Sequence, residues 1–208
     1  MEKRIDFTEG RIVLPLVRFV GPVFCALFLQ ALYGAVDLMI VGKFAESADV
    51  SAVATGSQIM MTITNLISSL AMGMTILLGQ KIGERKAEEG GRIVGSGILL
   101  FLAAGVFMTI LTAILAPQLA GVMHAPAEAF ANTTDYIRIC GAGTIVIISY
   151  NLIGGVFRGI GDSTTPFLTV LMACICNIAG DLFLVAGLGM GTRGAAIATV
   201  FAQFLSVL

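Results

Sequence analysis

The chain has 208 residues, of which 57% are hydrophobic and only 12% charged, with a formal net charge of -1. A soluble domain typically carries about 25% charged residues, so these charges are too few to cover a water-facing surface. Lipid is the solvent that fits, and no basic stretch suits nucleic acid.

Charge-free windows locate the membrane spans, because a helix crosses ~30 Å of hydrocarbon with ~20 residues. The first follows Lys3, Arg4 and Arg11. That arrangement imitates the start of a signal peptide, but the run is too long and further spans follow, so it reads as a retained first helix. The six predicted helices are 12–42, 51–81, 92–120, 131–157, 163–187 and 194–208. Spanning strands are excluded, since a barrel needs short alternating segments and these runs are long and uniformly apolar. The fold class expected is all-α: a polytopic six-helix membrane bundle whose last helix is cut short. Its 15 residues, from Gly194 to Leu208, give about 22 Å of rise.

The connections are short. Residues 82–91 are the most charged stretch, with Glu84, Arg85, Lys86, Glu88 and Glu89. Ser163-Thr164-Thr165-Pro166 offers hydroxyls to cap a helix and a proline for its first turn. With the amino terminus inside, nine Lys and Arg residues fall on the inner side. Only Lys43, Arg138 and Arg193 fall on the other, which accounts for all 12. This bias predicts a cytoplasmic amino terminus in the cell's inner membrane. Small residues four apart, such as Gly79 and Gly83, need no reading beyond close helix packing.

Several signals carry no function. Cys25, Cys140, Cys174 and Cys176 all lie in apolar stretches, and His124 is the only histidine. A transition-metal site therefore lacks its usual ligands. Gly189-Met190-Gly191-Thr192-Arg193-Gly194 has the form G-x-G-x-x-G, but it follows a membrane helix rather than a strand. The sequon at Asn132 reads as chance. Ten methionines suit packing in lipid. No nucleophile and base stand at a recognisable spacing, so an enzyme is not expected, and no cofactor is implied.

Two carboxylates interrupt the spans: Asp37 in the first and Asp181 in the fifth. An ionised side chain at the bilayer centre costs at least ~2.5–3.5 kcal/mol, so intramembrane acids tend to mark ion paths. Both helices start inside, and both acids lie far along them. Asp37 is 19 residues past Arg18 and Asp181 is 15 past Pro166, which puts both in the outer half. Thr199, early in the inward-running sixth helix, reaches similar depth. Asn177 and Asp181 are four apart and share a helix face. Gln30 and Asn151 add amides in the first and fourth helices. Two acids in one apolar pocket cannot both stay ionised and unpaired. The site must take up either H⁺ or Na⁺.

Four motifs, in order, make a resemblance specific: Gln30-x-x-Tyr33-x-x-x-Asp37, the run from Arg158 to Pro166, Asn177-x-x-x-Asp181, and Gly194-Ala195-Ala196-Ile197-Ala198-Thr199. Together they resemble the amino-terminal half of the multidrug and toxic compound extrusion (MATE) family. That resemblance implies an antiporter of twelve helices in two bundles, expelling organic, often cationic, compounds against entering H⁺ or Na⁺. It implies a cation site of Asp37, Asn177, Asp181 and Thr199, which would also be the place for Na⁺. It implies a cavity lined by Gln30, Tyr33, Tyr136 and Asn151, and a bend at Pro22, where the missing N–H also favours a kink. The expected partners are small organic substrates, lipid and a missing carboxy-terminal lobe. The chain departs from the family in length, so an inactive truncated fragment is a competing expectation. A lipid-linked oligosaccharide flippase is another, although the spans lack the basic residues such a cavity needs.

Overall fold

The computed structural model describes residues 13–208. Lys3, Arg4, Arg11 and the first residue of the first predicted helix lie outside them. Seven α-helices follow in order: α1 Val13–Phe44, α2 Ser47–Gly83, α3 Ala87–Val122, α4 Phe130–Ala142, α5 Thr144–Gly159, α6 Thr164–Asp181 and α7 Gly191–Val207. A π-helical turn, Leu182–Gly187, continues α6. The described residues contain no strand. Helices α1, α2, α3 and the α6–π segment are each long and apolar enough to cross a membrane, and α4 with α5 makes a fifth, bent span. The protein is an all-α integral membrane protein.

Several helices outrun their charge-free windows, for an electrostatic reason. Asp49 sits in the first turn of α2 and Lys81 in its last, while Glu88 and Glu89 open α3. Acids at helix starts and bases at helix ends complement the backbone dipole, so these charges extend the helices rather than stop them. Only Ala45 and Glu46 separate α1 from α2. Pro117 and Pro22 lie inside α3 and α1, and neither helix ends there.

The predicted fourth helix is two pieces bent by 50°. Gly143 stands at the break. A Cβ there would lie 2.6 Å from both Val200 methyl carbons, so only glycine lets the bend press against α7. The predicted fifth helix changes winding after Asp181. The sixth begins at Gly191, three residues before the expected Gly194, because the Asp49 carboxylate accepts the Thr192 N–H at 3.1 Å and caps that end.

Packing is inside out relative to a soluble protein. Large apolar side chains such as Leu99, Phe107 and Ile114 face outward, where lipid is their solvent. Inside, α2 is central, touching α3, α4, α5 and α7. Thr75 on α2 donates its hydroxyl to the Gly155 carbonyl at 3.0 Å, a contact that needs the two backbones close. Helix α1 packs mainly on α6. Its buried residues, Asp37, Ile40 and Val41, all lie toward its carboxy-terminal end.

Candidate functional site

The site lies where the ends of α1 and α6 meet α7. Asp37 comes two turns before the end of α1 and is 6% exposed. Asp181 is the last residue of α6 and is fully buried. The π turn starts at the next residue, so the helix changes winding directly at the acid. Single π turns inside helices recur at functional positions.

The two carboxyl groups stand against each other. Asp37 Oδ1 and both oxygens of Asp181 are buried without a hydrogen-bond donor. Asn177, one turn before Asp181 and 2% exposed, donates its amide N–H to Thr199 Oγ1 at 3.3 Å. Its Oδ1 is also buried without a donor. The site is thus a cluster of acceptor oxygens with too few protons. Neighbouring carboxylates in a dry interior repel and cannot both stay ionised alone. A bound proton, shared between the acids, removes one charge. A small hard cation, held by carboxylate, amide and hydroxyl oxygens, neutralises the charge instead. The groups that meet here offer oxygen, which suits a hard cation better than a transition metal.

A cavity of about 10 Å³ adjoins the site, lined by Tyr33, Ala173, Asn177, Thr199, Ala202 and Gln203. This is about the space of one water. Tyr33 lies one turn before Asp37 on α1, and its hydroxyl reaches Gln203 on α7. Gln203 is a site residue absent from the sequence-based expectations, and it stands four residues after Thr199 on the same helix face. Tyr136, only 3% exposed, comes near Asp37 from α4. Its ring lies on Gly56 of α2, where a Cβ would sit 2.5 Å from Cδ1.

The other two residues expected in the cavity have different partners. Asn151 accepts a hydrogen bond from Ser68 Oγ at 2.9 Å and donates to the Ile147 carbonyl at 2.8 Å, which ties α5 to α2. Gln30 is exposed on α1 and reaches Tyr150 of α5. Pro22 lies in the first half of α1, where no residue is buried, and a Cβ on the preceding Gly21 would meet nothing within 4 Å.

The MatE family model matches residues 22–183, from Pro22 through the two acids and into the π turn. This chain belongs to the MatE family. Among relatives, it is 24% identical over 206 residues to YpnP, a probable multidrug resistance protein of Bacillus subtilis, covering 99% of this chain and 46% of YpnP. It superposes on a MOP superfamily transporter from Pyrococcus furiosus with a TM-score of 0.92 and 26% identity, covering 100% of this chain and 46% of that one. A MATE structure in a bent conformation gives a TM-score of 0.91 at 27% identity, covering 99% and 46%. This MatE chain therefore spans about half the length of the relatives it matches, and it is an amino-terminal half.

Proposed function

We propose that this chain is the amino-terminal lobe of a cation-coupled exporter of organic, cationic drugs, with Asp37 and Asp181 as the coupling pair and Asn177 and Thr199 completing the ion site. The observation that carries this reading is the buried cluster of acceptor oxygens at Asp37, Asn177 and Asp181 that no donor satisfies. Such a cluster is costly as structure alone and makes sense as a station for H⁺ or Na⁺. Multidrug resistance proteins among the relatives support drugs as the cargo.

The chemistry is an exchange of charge. With the ion absent, the paired carboxylates present negative charge that attracts a cationic drug. Entry of H⁺ or Na⁺ removes that charge, weakens the drug's hold and favours its release outward. A second lobe would form the other wall of the path, since alternating access commonly moves one bundle against another. The first half of α1, with no buried residue and with Pro22 inside it, suits a segment that bends as the site fills. The reading assigns a transporter in the cell's inner membrane with a cytoplasmic amino terminus, not an enzyme.

Efflux of a fluorescent cationic dye from vesicles, driven by an imposed H⁺ or Na⁺ gradient, tests it in the complete transporter that carries this lobe. Asp37→Asn and Asp181→Asn are each expected to abolish gradient-driven efflux while leaving insertion intact. Efflux at the parent rate in both variants would place the coupling site elsewhere.

A further inference from the structure

Asp49, in the first turn of α2, gathers the starts of three helices. Its Oδ1 accepts hydrogen bonds from Asn132 Nδ2 at 3.0 Å, Thr192 N at 3.1 Å and Thr192 Oγ1 at 2.6 Å. Its Oδ2 accepts the Glu46 N–H at 3.3 Å, which also caps α2. Asn132 lies in the first turn of α4 and Thr192 in the first turn of α7. Each helix start carries partial positive charge, so one carboxylate complements three of them. The fit is close: a Cβ on Gly191 would lie 2.8 Å from both Asp49 oxygens, and its backbone φ of 52° is one that glycine adopts freely. Beside this node, Arg193 donates from Nε and Nη2 to Asp135 Oδ2 at 2.9 and 2.7 Å, again joining α7 to α4.

The node is directly linked to the ion site along two chains. Thr199 follows Thr192 by seven residues, about 10 Å down α7. Asp37 precedes the end of α1 by seven residues, and two residues then lead into α2. Deeper in, α6 and α7 are in close contact, for a Cβ on Gly180 would lie 2.9 Å from that of Ala198. A helix packed so tightly at one point and pinned at its start has a fixed axial position. A slide or tilt of α7 from a freed start would act on the 3.3 Å contact between Asn177 and Thr199.

We propose that Asp49 is a positioning residue for the cation site: by pinning the starts of α7 and α4 to that of α2, it sets Thr199 against Asn177 and thereby the affinity for the coupling ion. This rests on the coupling-site reading above. It is tested in the complete transporter, reconstituted in vesicles, from the half-saturating concentrations of the driving cation and of the dye. A hydrogen bond to a charged group is worth about a factor of ten, so Asp49→Ala is expected to raise the half-saturating cation concentration about ten-fold. The half-saturating dye concentration should stay within about two-fold. Asp49→Asn, which keeps an acceptor oxygen in place, should recover most of the loss. Thr192→Val removes only the 2.6 Å hydroxyl contact at constant shape, and it decides the matter if Asp49→Ala does not insert. Unchanged cation dependence in these variants overturns the proposal. So does an equal shift for cation and dye, which would mean general loosening. Asp37→Asn separates the two ideas. If it abolishes coupling while the Asp49 variants show no shift, only the positioning role fails. If it exports like the parent, the coupling-site reading fails and this inference with it.

Discussion

Asn177 on α6 donates to Thr199 on α7 at 3.3 Å, one turn before Asp181, and this bond joins two helices inside the proposed ion site. Thr199→Val removes the acceptor and leaves the buried Asn177 amide without any partner. The loss expected is about 1–3 kcal/mol of stability, read from thermal unfolding of the purified chain in detergent. Thr199→Ser keeps the oxygen and should remain near the parent. Equal stability for Val and Ser would show that the bond contributes little.

Tyr136 reaches the site only because Gly56 leaves room for its ring. Gly56→Ala forces the ring or α2 to move, at about 1–3 kcal/mol for overpacking a filled core. The expected readings are a lower unfolding temperature and slower efflux. Tyr136→Ala leaves a cavity of its own, but it should cost less in the Gly56→Ala background than in the parent, because the clash is then absent. A Gly56→Ala variant as stable as the parent would show that the ring shifts freely.

Asp162, in the loop before α6, accepts the N–H groups of Thr164 and Thr165 at 2.9 and 3.0 Å and the Thr165 hydroxyl at 2.6 Å. Partial burial pushes its carboxyl up, but the three hydrogen bonds together outweigh that and hold it below the ordinary 3.8. A lowered carboxyl adds stability that is complete above the ordinary value and is lost as pH falls through the native one. Asp162→Ala is therefore expected to cost about 1 kcal/mol at neutral pH, the usual worth of such a cap. The difference between the two proteins should shrink as pH drops below about 4. A gap that does not change between neutral and strongly acid pH would rule out the charged cap.

Arg85 and His124 occupy the tight turns after α2 and α3, both with positive φ, at 60° and 53°. The excess of inner basic residues predicts that the first turn is cytoplasmic and the second outside. Single cysteines at these positions, in a background lacking the native four, should react with an impermeant maleimide in intact cells only at position 124. Labelling at 85 and not at 124 would invert the topology.

Membrane character and the two acids were legible because lipid makes polarity rare and therefore informative. Asn177 and Asp181 could be paired from spacing alone, and Thr199 from depth. The bend at Gly143 was not legible, because its cause is Val200, a contact 57 positions away that no local pattern records. The role of Asp49 was hidden for a related reason. A loop acid beside a helix start looks like an ordinary cap, and its bonds to Thr192 span 143 positions. Gln203 is legible in the sequence through its four-residue spacing from Thr199. Asn151 is placed in the cavity only by the family resemblance, and its bond to Ser68 is a contact that no local pattern announces.

The π turn at Leu182–Gly187 makes chain length, more than residue identity, the guarded quantity after Asp181. Each residue of an α-helix turns the chain by about 100°. Deleting one residue between 182 and 187 would let the segment relax to ordinary α winding, and most of its side chains could still be apolar and face lipid. The far end of the segment would stay in place, since five α residues turn the chain about as far as six wider-wound ones, but Val185, buried at 1% exposure, would lose its place in the core. Natural variants of this lobe should therefore accept many apolar exchanges at Leu182, Phe183 and Leu184 and very few single-residue gaps.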